Sequence, residues 1–208
     1  MNRQTKVAGV ILAGGLARRM GGKDKGLLLY NGQPMIAYAI NAMAQVVEQL
    51  AINANRNLEQ YREFGYPVIN DLTGSFDGPL AGVLAAMTQL DTEILLTLPC
   101  DTPLIEAGHL QTLLTRFIET DAQVVAGFDG SRMQPTMLAV STGLRGSLQS
   151  YLSEGGRKVE TWLNRHSLQL ADFSREPGIF ANINTPDELS ARQRESMAAA
   201  GAITEKPD

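Results

Sequence analysis

The chain has 208 residues, 44% of them hydrophobic and 19% charged, with a formal net charge of −4. Its apolar fraction excludes wholesale disorder, and its acidic balance excludes nucleic-acid binding through bulk positive charge. The single Cys100 excludes an internal disulfide, and His109 and His166 alone make no zinc-finger inventory. The length suits one globular domain, expected over residues 1–200 with a frayed polar tail at 201–208.

Residues 7–13 follow Arg3 and Lys6 and have the length of a signal-peptide core. Gly14-Gly15 interrupts that core, and Arg18-Arg19 follow where a cleavage region is small and uncharged. No apolar run approaches the ~20 residues that span a bilayer. A cytoplasmic protein without a membrane partner is therefore expected.

Val7–Leu12 reads as a buried strand, followed by a long connection rich in glycine and positive charge, residues 13–25. Asn31-Gly32 marks a turn, and Pro34 is placed in the first turn of a helix over 35–46. A second strand is predicted at Gln49–Asn53, a short helix at 58–64 and a third strand at 66–70. Pro79–Gln89 reads as a helix opened by its proline, and the apolar run 94–98, bounded by Pro99, as a strand covered on both faces. A helix over 106–119 puts Leu110, Leu113, Leu114 and Phe117 on one side. Strands at 123–128 and 135–140 flank the turn signal Asp129-Gly130, which predicts an antiparallel element in the C-terminal half. Helices at 144–153 and 159–165 and a last strand at 168–173 follow. Thr185-Pro186-Asp187-Glu188 is a capping box opening a final helix. Alternation of strands and helices predicts an α/β fold: a mostly parallel sheet with helices on both faces.

In such sheets ligands bind beyond the carboxyl ends of the strands. Four predicted strands end in polar or glycine-rich residues: Gly14-Gly15 after the first, Asn53-Ala54-Asn55-Arg56 at the second, Asn70-Asp71 at the third and Pro99-Cys100-Asp101 at the fourth. Asn and Asp are also common turn formers, so each alone is ambiguous. Together they place a site on one rim. Gly14, Gly15, Gly21 and Gly22 allow close approach of the main chain to an anion, and Arg19 and Lys25 supply charge for a polyphosphate. The Walker A pattern fails because Asp24 follows Gly22-Lys23, and the dinucleotide fingerprint fails on spacing. Asp101, directly after a buried strand, suits a hard cation such as Mg2+, which takes one or two carboxylates plus substrate phosphates. Gly155-Gly156-Arg157-Lys158 is a second basic cluster, equally readable as a solvated turn. His109 and His166 are assigned no chemistry, and Cys100 is read as a small packed residue.

Leu12-Ala13-Gly14-Gly15, Arg18-Arg19-Met20-Gly21-Gly22 and Asp24-Lys25 resemble the signature of molybdenum cofactor guanylyltransferases. Further pieces match in order: Asn53-Ala54-Asn55-Arg56, Gly78-Pro79-Leu80-Ala81-Gly82, Pro99-Cys100-Asp101-Thr102-Pro103 and Asn182-Ile183-Asn184-Thr185-Pro186. The resemblance spans residues 7–195. It implies a single Rossmann-like three-layer domain that transfers GMP from GTP to the terminal phosphate of molybdopterin, with Mg2+, releasing pyrophosphate. It also implies that Leu12, Ala13, Gly14, Gly15, Gly22, Lys25, Asn53, Asp71, Gly78, Gly82 and Asp101 bind nucleotide. Lys25, Arg19 and Asp101 would act in catalysis, Asp101 holding the metal, and Arg157, Asn182 and Asn184 would face the pterin. Asp71 is open to either guanine or ribose. A monomer is expected, with other cofactor-biosynthesis proteins and acceptor molybdoenzymes as partners implied by the family. Related cytidylyltransferases, sugar-phosphate nucleotidyltransferases and a non-catalytic GTP-binding regulator are the competing readings.

Overall fold

A computed structural model describes residues 5–15, 24–72 and 78–181. Arg19, Gly22, Asn182, Asn184 and the helix expected after Thr185 lie outside the described residues. The described elements are strands β1 (Val7–Leu12), β2 (Leu29–Tyr30), β3 (Gln33–Pro34), β4 (Gln49–Asn53), β5 (Val68–Ile69), β6 (Ile94–Pro99), β7 (Val124–Phe128), β8 (Met133–Ser141) and β9 (Leu168–Asp172). The helices are α1 (Met35–Ala44), α2 (Leu58–Arg62), α3 (Pro79–Gln89), α4 (Ala107–Thr120), α5 (Arg145–Ser153) and α6 (Val159–Leu163), with 3-10 turns at Lys25–Leu27, Thr142–Leu144 and Pro177–Phe180.

The main sheet runs β5-β4-β1-β6-β8-β7-β9. β5, β4, β1 and β6 are mutually parallel, β8 is antiparallel to both β6 and β7, and β9 is parallel to β7. β8 alone is therefore reversed. Alternation along the strands divides the core. Ile11, Ile52, Leu96 and Leu98 pack with α1, α2 and α4. Ala8, Val10, Ala51 and Leu95 pack with α3, α5 and α6 on the other face. Period-2 side chains thus build the three layers. Among the described residues, no helix is long and apolar enough to cross a membrane.

Departures from the expected elements are local. Asn31 and Gly32 both have positive φ, 47° and 83°, so the turn closes a two-residue hairpin between β2 and β3. Each strand is too short to leave an alternating pattern. Pro34 belongs to that hairpin, and its ψ of 137° puts it just before α1 rather than in its first turn. The third strand shrinks to Val68–Ile69, which is all of it that pairs with β4. Helices α1, α2 and α6 stop short of the expected ends, and a 3-10 turn at Pro177–Phe180 follows the last strand. β8 is longer than expected because its register against β7 breaks between Ala126 and Gly127, so the strand runs on through Pro135. A proline lacks the ladder N–H, and a register break is where a strand tolerates one.

His109 serves α4 structurally: its Nδ1 accepts from the Glu106 N–H at 2.9 Å, completing a capping box. His166 is structural as well. Its Nε2 lies 3.2 Å from Ser147 Oγ, which also accepts from the buried Trp162 indole at 3.3 Å. The Ser147 hydroxyl has one proton and two lone pairs, so it can meet either tautomer of the ring while accepting from Trp162. Burial, then the Arg165 charge, lowers the His166 pKa. The folded state therefore binds that proton less readily than the unfolded chain. The resulting stability is full above the unfolded histidine pKa of about 6.5 and is lost as pH falls below it. Thermal unfolding should show a smaller drop in Tm between pH 8 and pH 5.5 for His166→Gln than for the parent chain. Parallel curves would remove His166 as the cause.

Candidate active site

The sheet order reverses at β1. β4 and β5 lie to one side, and the chain then crosses over to place β6 on the other. A crevice at the carboxyl ends of β1 and β6 follows from that reversal. Leu12 is held from both flanks, opposite Asn53 in β4 and Pro99 in β6. Past it, the Ala13 N–H donates to Asn53 O at 2.8 Å and the Cys100 N–H to Leu12 O at 3.2 Å. The strand ends are thereby tied together where Gly14 and Gly15 leave the sheet.

Two clusters occupy this rim. In the first, both oxygens of Asp71 accept amide hydrogens: Asn53 Nδ2 at 2.9 Å and Asn55 Nδ2 at 2.8 Å. The Asp71 N–H returns to Asn55 Oδ1 at 3.0 Å. Each carboxylate oxygen keeps a second lone pair, so Asp71 is oriented by this network and can still accept from a ligand. Gly14 and Gly82 close on the same amides. A Cβ at Gly14 would lie 3.1 Å from Asn55 Nδ2, and one at Gly82 2.7 Å from Asn53 Cγ. Gly78 precedes α3 with φ 80°, a left-handed conformation that favours glycine.

In the second cluster, Lys25 Nζ donates to Asp101 Oδ2 at 3.0 Å across a separation of 76 residues. Both side chains are largely covered, with 23% and 13% exposure. Asp101 follows β6 directly, and the next residue, Thr102, donates its hydroxyl to Pro99 O and fixes the turn. Among the described residues Asp101 Oδ1 accepts no hydrogen bond. Beside this pair, the Asp24 carboxylate is buried. It accepts from Tyr61 Oη at 2.5 Å and Asn57 Nδ2 at 2.9 Å, and pairs with Arg56 Nε at 3.4 Å. Burial raises the Tyr61 phenol far above its usual pKa, and the hydrogen bond to Asp24 and its charge act in the same direction, so the phenol stays a donor. Burial likewise pushes the Cys100 thiol up, with Asp101 and Asp24 adding to it, so Cys100 is no thiolate nucleophile near neutral pH.

A glycine-exited strand, an oriented carboxylate and a lysine–aspartate pair on one rim suit a nucleoside triphosphate. Residues 9–170 match the family model of the MobA-like NTP transferase domain. The chain belongs to that family. It is accordingly a nucleotidyltransferase. A molybdenum cofactor guanylyltransferase of Shewanella loihica is 45% identical over 183 residues, 88% of this chain and 93% of the relative. Among solved structures, the molybdopterin-guanine dinucleotide biosynthesis protein A of Archaeoglobus fulgidus superposes with a TM-score of 0.74 at 22% identity, covering 93% of this chain and 99% of that one. A nucleotidyl transferase from Methanothermobacter gives 0.73 at 20% identity, covering 94% of this chain and all of that one. At these identities the two structures speak for the fold alone.

The tertiary structure brings Leu12, Ala13, Gly14, Lys25, Asn53, Asp71, Gly82 and Asp101 to one rim. Arg157 is bonded to the main chain of its own turn. It lies in an exposed turn after α5, where its Nη1 donates to Leu152 O and Gly156 O at 2.8 and 2.7 Å and caps the helix. Asp24 and Arg56 stand within the sequence motifs without a role that their spacing assigns, and Tyr61 stands in none of them. The available signal was a charged residue beside Lys25 in an otherwise glycine-rich loop; its buried partners are visible only in three dimensions.

Gly82→Ala tests how tightly the Asn53–Asp71 network is packed. The new methyl must displace the Asn53 amide, so both a lower Tm and weaker nucleotide binding by calorimetry are expected. Overpacking of this kind costs about 1–3 kcal/mol. Unchanged binding would show that the network yields without consequence.

Proposed function

We propose that this chain transfers GMP from GTP to the terminal phosphate of molybdopterin, bare or molybdenum-loaded, releasing pyrophosphate. The observation that carries this reading is the Lys25–Asp101 pair at the β1–β6 crevice, flanked by the Asp71 network. Relatives of closely similar length named molybdenum cofactor guanylyltransferase support the choice of GTP and of the acceptor.

The acceptor phosphate is ionised near neutral pH and needs no base to activate it. Its oxygen bonds to the α-phosphorus of GTP, the bond from that phosphorus to the β-phosphate oxygen breaks, and the electron pair leaves with pyrophosphate. The chain's contribution is then alignment and charge stabilisation. Gly14, Gly15 and Gly22 would bring main-chain N–H groups to the phosphates, Leu12 and Ala13 would hold the strand end against the nucleotide, and Lys25 and Arg19 would offset charge on the departing pyrophosphate. Asn53 and Asp71 would hold the nucleoside, with Gly78 and Gly82 leaving room for the base. Arg157, Asn182 and Asn184 would face the pterin. For Arg157 this requires the guanidinium to keep hydrogens for the ligand while Nη1 caps α5.

The divalent ion assigned here is Mg2+. Asp101 fits it: a hard oxygen donor, little exposed, with Oδ1 accepting no hydrogen bond from the described residues. Asp24 does not fit, because its carboxylate is already committed to three protein partners. When bound, such an ion supplies positive charge against the phosphate oxygens.

Lys25→Ala and Asp101→Asn should each lower the rate of pyrophosphate release from GTP and molybdopterin by ~10²–10³, the usual cost of losing one preorganised charge-stabilising group. A variant near the parent rate in steady state with Mg2+ present would remove that residue from the mechanism. GTP should also raise Tm more than CTP or ATP does. Equal or reversed protection would favour a cytidylyltransferase, and GTP binding without turnover a nucleotide-binding regulator.

A further inference from the structure

Residues 24–26 are keyed into three neighbours in succession. Asp24 turns into the loop after β4, where Arg56, Asn57 and Tyr61 surround its carboxylate. Lys25 turns the other way, to Asp101 after β6. Gly26 is buried against Tyr61 and Cys100: a Cβ there would lie 2.7 Å from Tyr61 Oη and 3.3 Å from Cys100 Sγ. A buried carboxylate is costly unless paired and hydrogen-bonded, so Asp24 has few alternative positions.

Asn57 shows that the partner loop is shaped toward Asp24. It is the N-cap residue of α2, a place where an asparagine usually bonds the helix's own N–H groups. Here its side chain makes no cap; the amide goes to Asp24, and the backbone adopts a left-handed φ of 52°. Local capping is given up for a contact 33 residues away. Lysine's flexible four-carbon stem has many rotamers, so fixing the backbone on one side of Lys25 narrows what Asp101 must hold on the other.

We infer that Asp24, clamped by Tyr61, Asn57 and Arg56, is the positioning residue that sets Lys25 against Asp101 in the nucleotidyl-transfer site. The role of Lys25 in transfer rests on the function proposed above; the clamp itself does not. Asp24 touches no reacting atom and acts through its neighbour.

Tyr61→Phe, which keeps the buried ring, and Asp24→Asn, which keeps the shape, are compared with the parent chain and with Leu148→Ala. Leu148 lies in the core under α5, so that variant controls for lost stability alone. The first readout is modification of the Lys25 amine by acetic anhydride, quantified by peptide mass spectrometry in the absence of nucleotide. Reactivity of Lys25 is expected to rise several-fold in Tyr61→Phe and Asp24→Asn, with Lys6 and Lys158 unchanged, and not to rise in Leu148→Ala. The second is steady-state transfer, with kcat expected to fall about 10-fold while KM for GTP moves far less, the pattern of an interaction lost mainly in the transition state. In a Lys25→Ala background the same substitutions should have no further effect, since coupled residues are non-additive. Unchanged Lys25 reactivity, or a rate loss that persists in full without Lys25, overturns the inference. If the parent chain releases no pyrophosphate from GTP while Lys25 reactivity still rises in both variants, the proposed function fails and the clamp stands.

Discussion

Lys25 and Asp101 meet because β1 and β6 are neighbours, and this adjacency organises the site. The two residues are 76 positions apart. The chain first builds outward from β1 through β4 to β5, then crosses back to lay β6 on the other flank. In open α/β sheets such a reversal sets the ligand crevice at the carboxyl ends of the strands. The ion pair forms across it. Both partners are mostly covered, where a charge pair is screened less than at an open surface.

Around that pair the polar groups divide into those held for structure and those left with capacity for a ligand. Asp24 has three protein partners and is buried. Asp71 has one amide on each oxygen and keeps lone pairs. Asp101 has Lys25 on one oxygen. This gradation separates three carboxylates that look alike in a sequence. Cys100 and Tyr61 sit among them with their charged forms suppressed by burial, so neither adds a nucleophile or a base. Such a site suits transfer to an acceptor that is already an anion, where alignment and charge matter more than proton removal.

The half of the sheet beyond β6 is built differently. β8 is reversed, its register against β7 breaks beside Gly127, and the β7–β8 turn is fixed by Asp129. One oxygen of that carboxylate accepts from the Ser131 N–H, the Ser131 hydroxyl and the Arg132 N–H. Those bonds, led by the backbone N–H of Arg132, hold the Asp129 pKa well below the usual carboxylate range. The parallel half therefore carries the clustered polar chemistry described at the crevice, and the other half extends the same layered core through α4, α5 and α6.

The amino-acid sequence determined the order and kind of nearly every long element, because strands buried on both faces and amphipathic helices such as α4 leave strong periodic signals. It also determined which residues reach the rim: Gly14, Asn53, Asp71 and Asp101 each follow an apolar run that must end where they begin. The short β2–β3 hairpin, the clipped β5 and the register break at Pro135 came from tertiary pairing, since two or three residues carry no period. The same limit governed the site. That Lys25 faces Asp101, that Asp24 turns away into Tyr61 and Asn57, and that Arg157 caps its own helix are matters of contact between segments distant in the chain or of a local turn's geometry. Pattern along one dimension sets burial and spacing; which buried charge meets which partner is decided only when the strands are laid side by side.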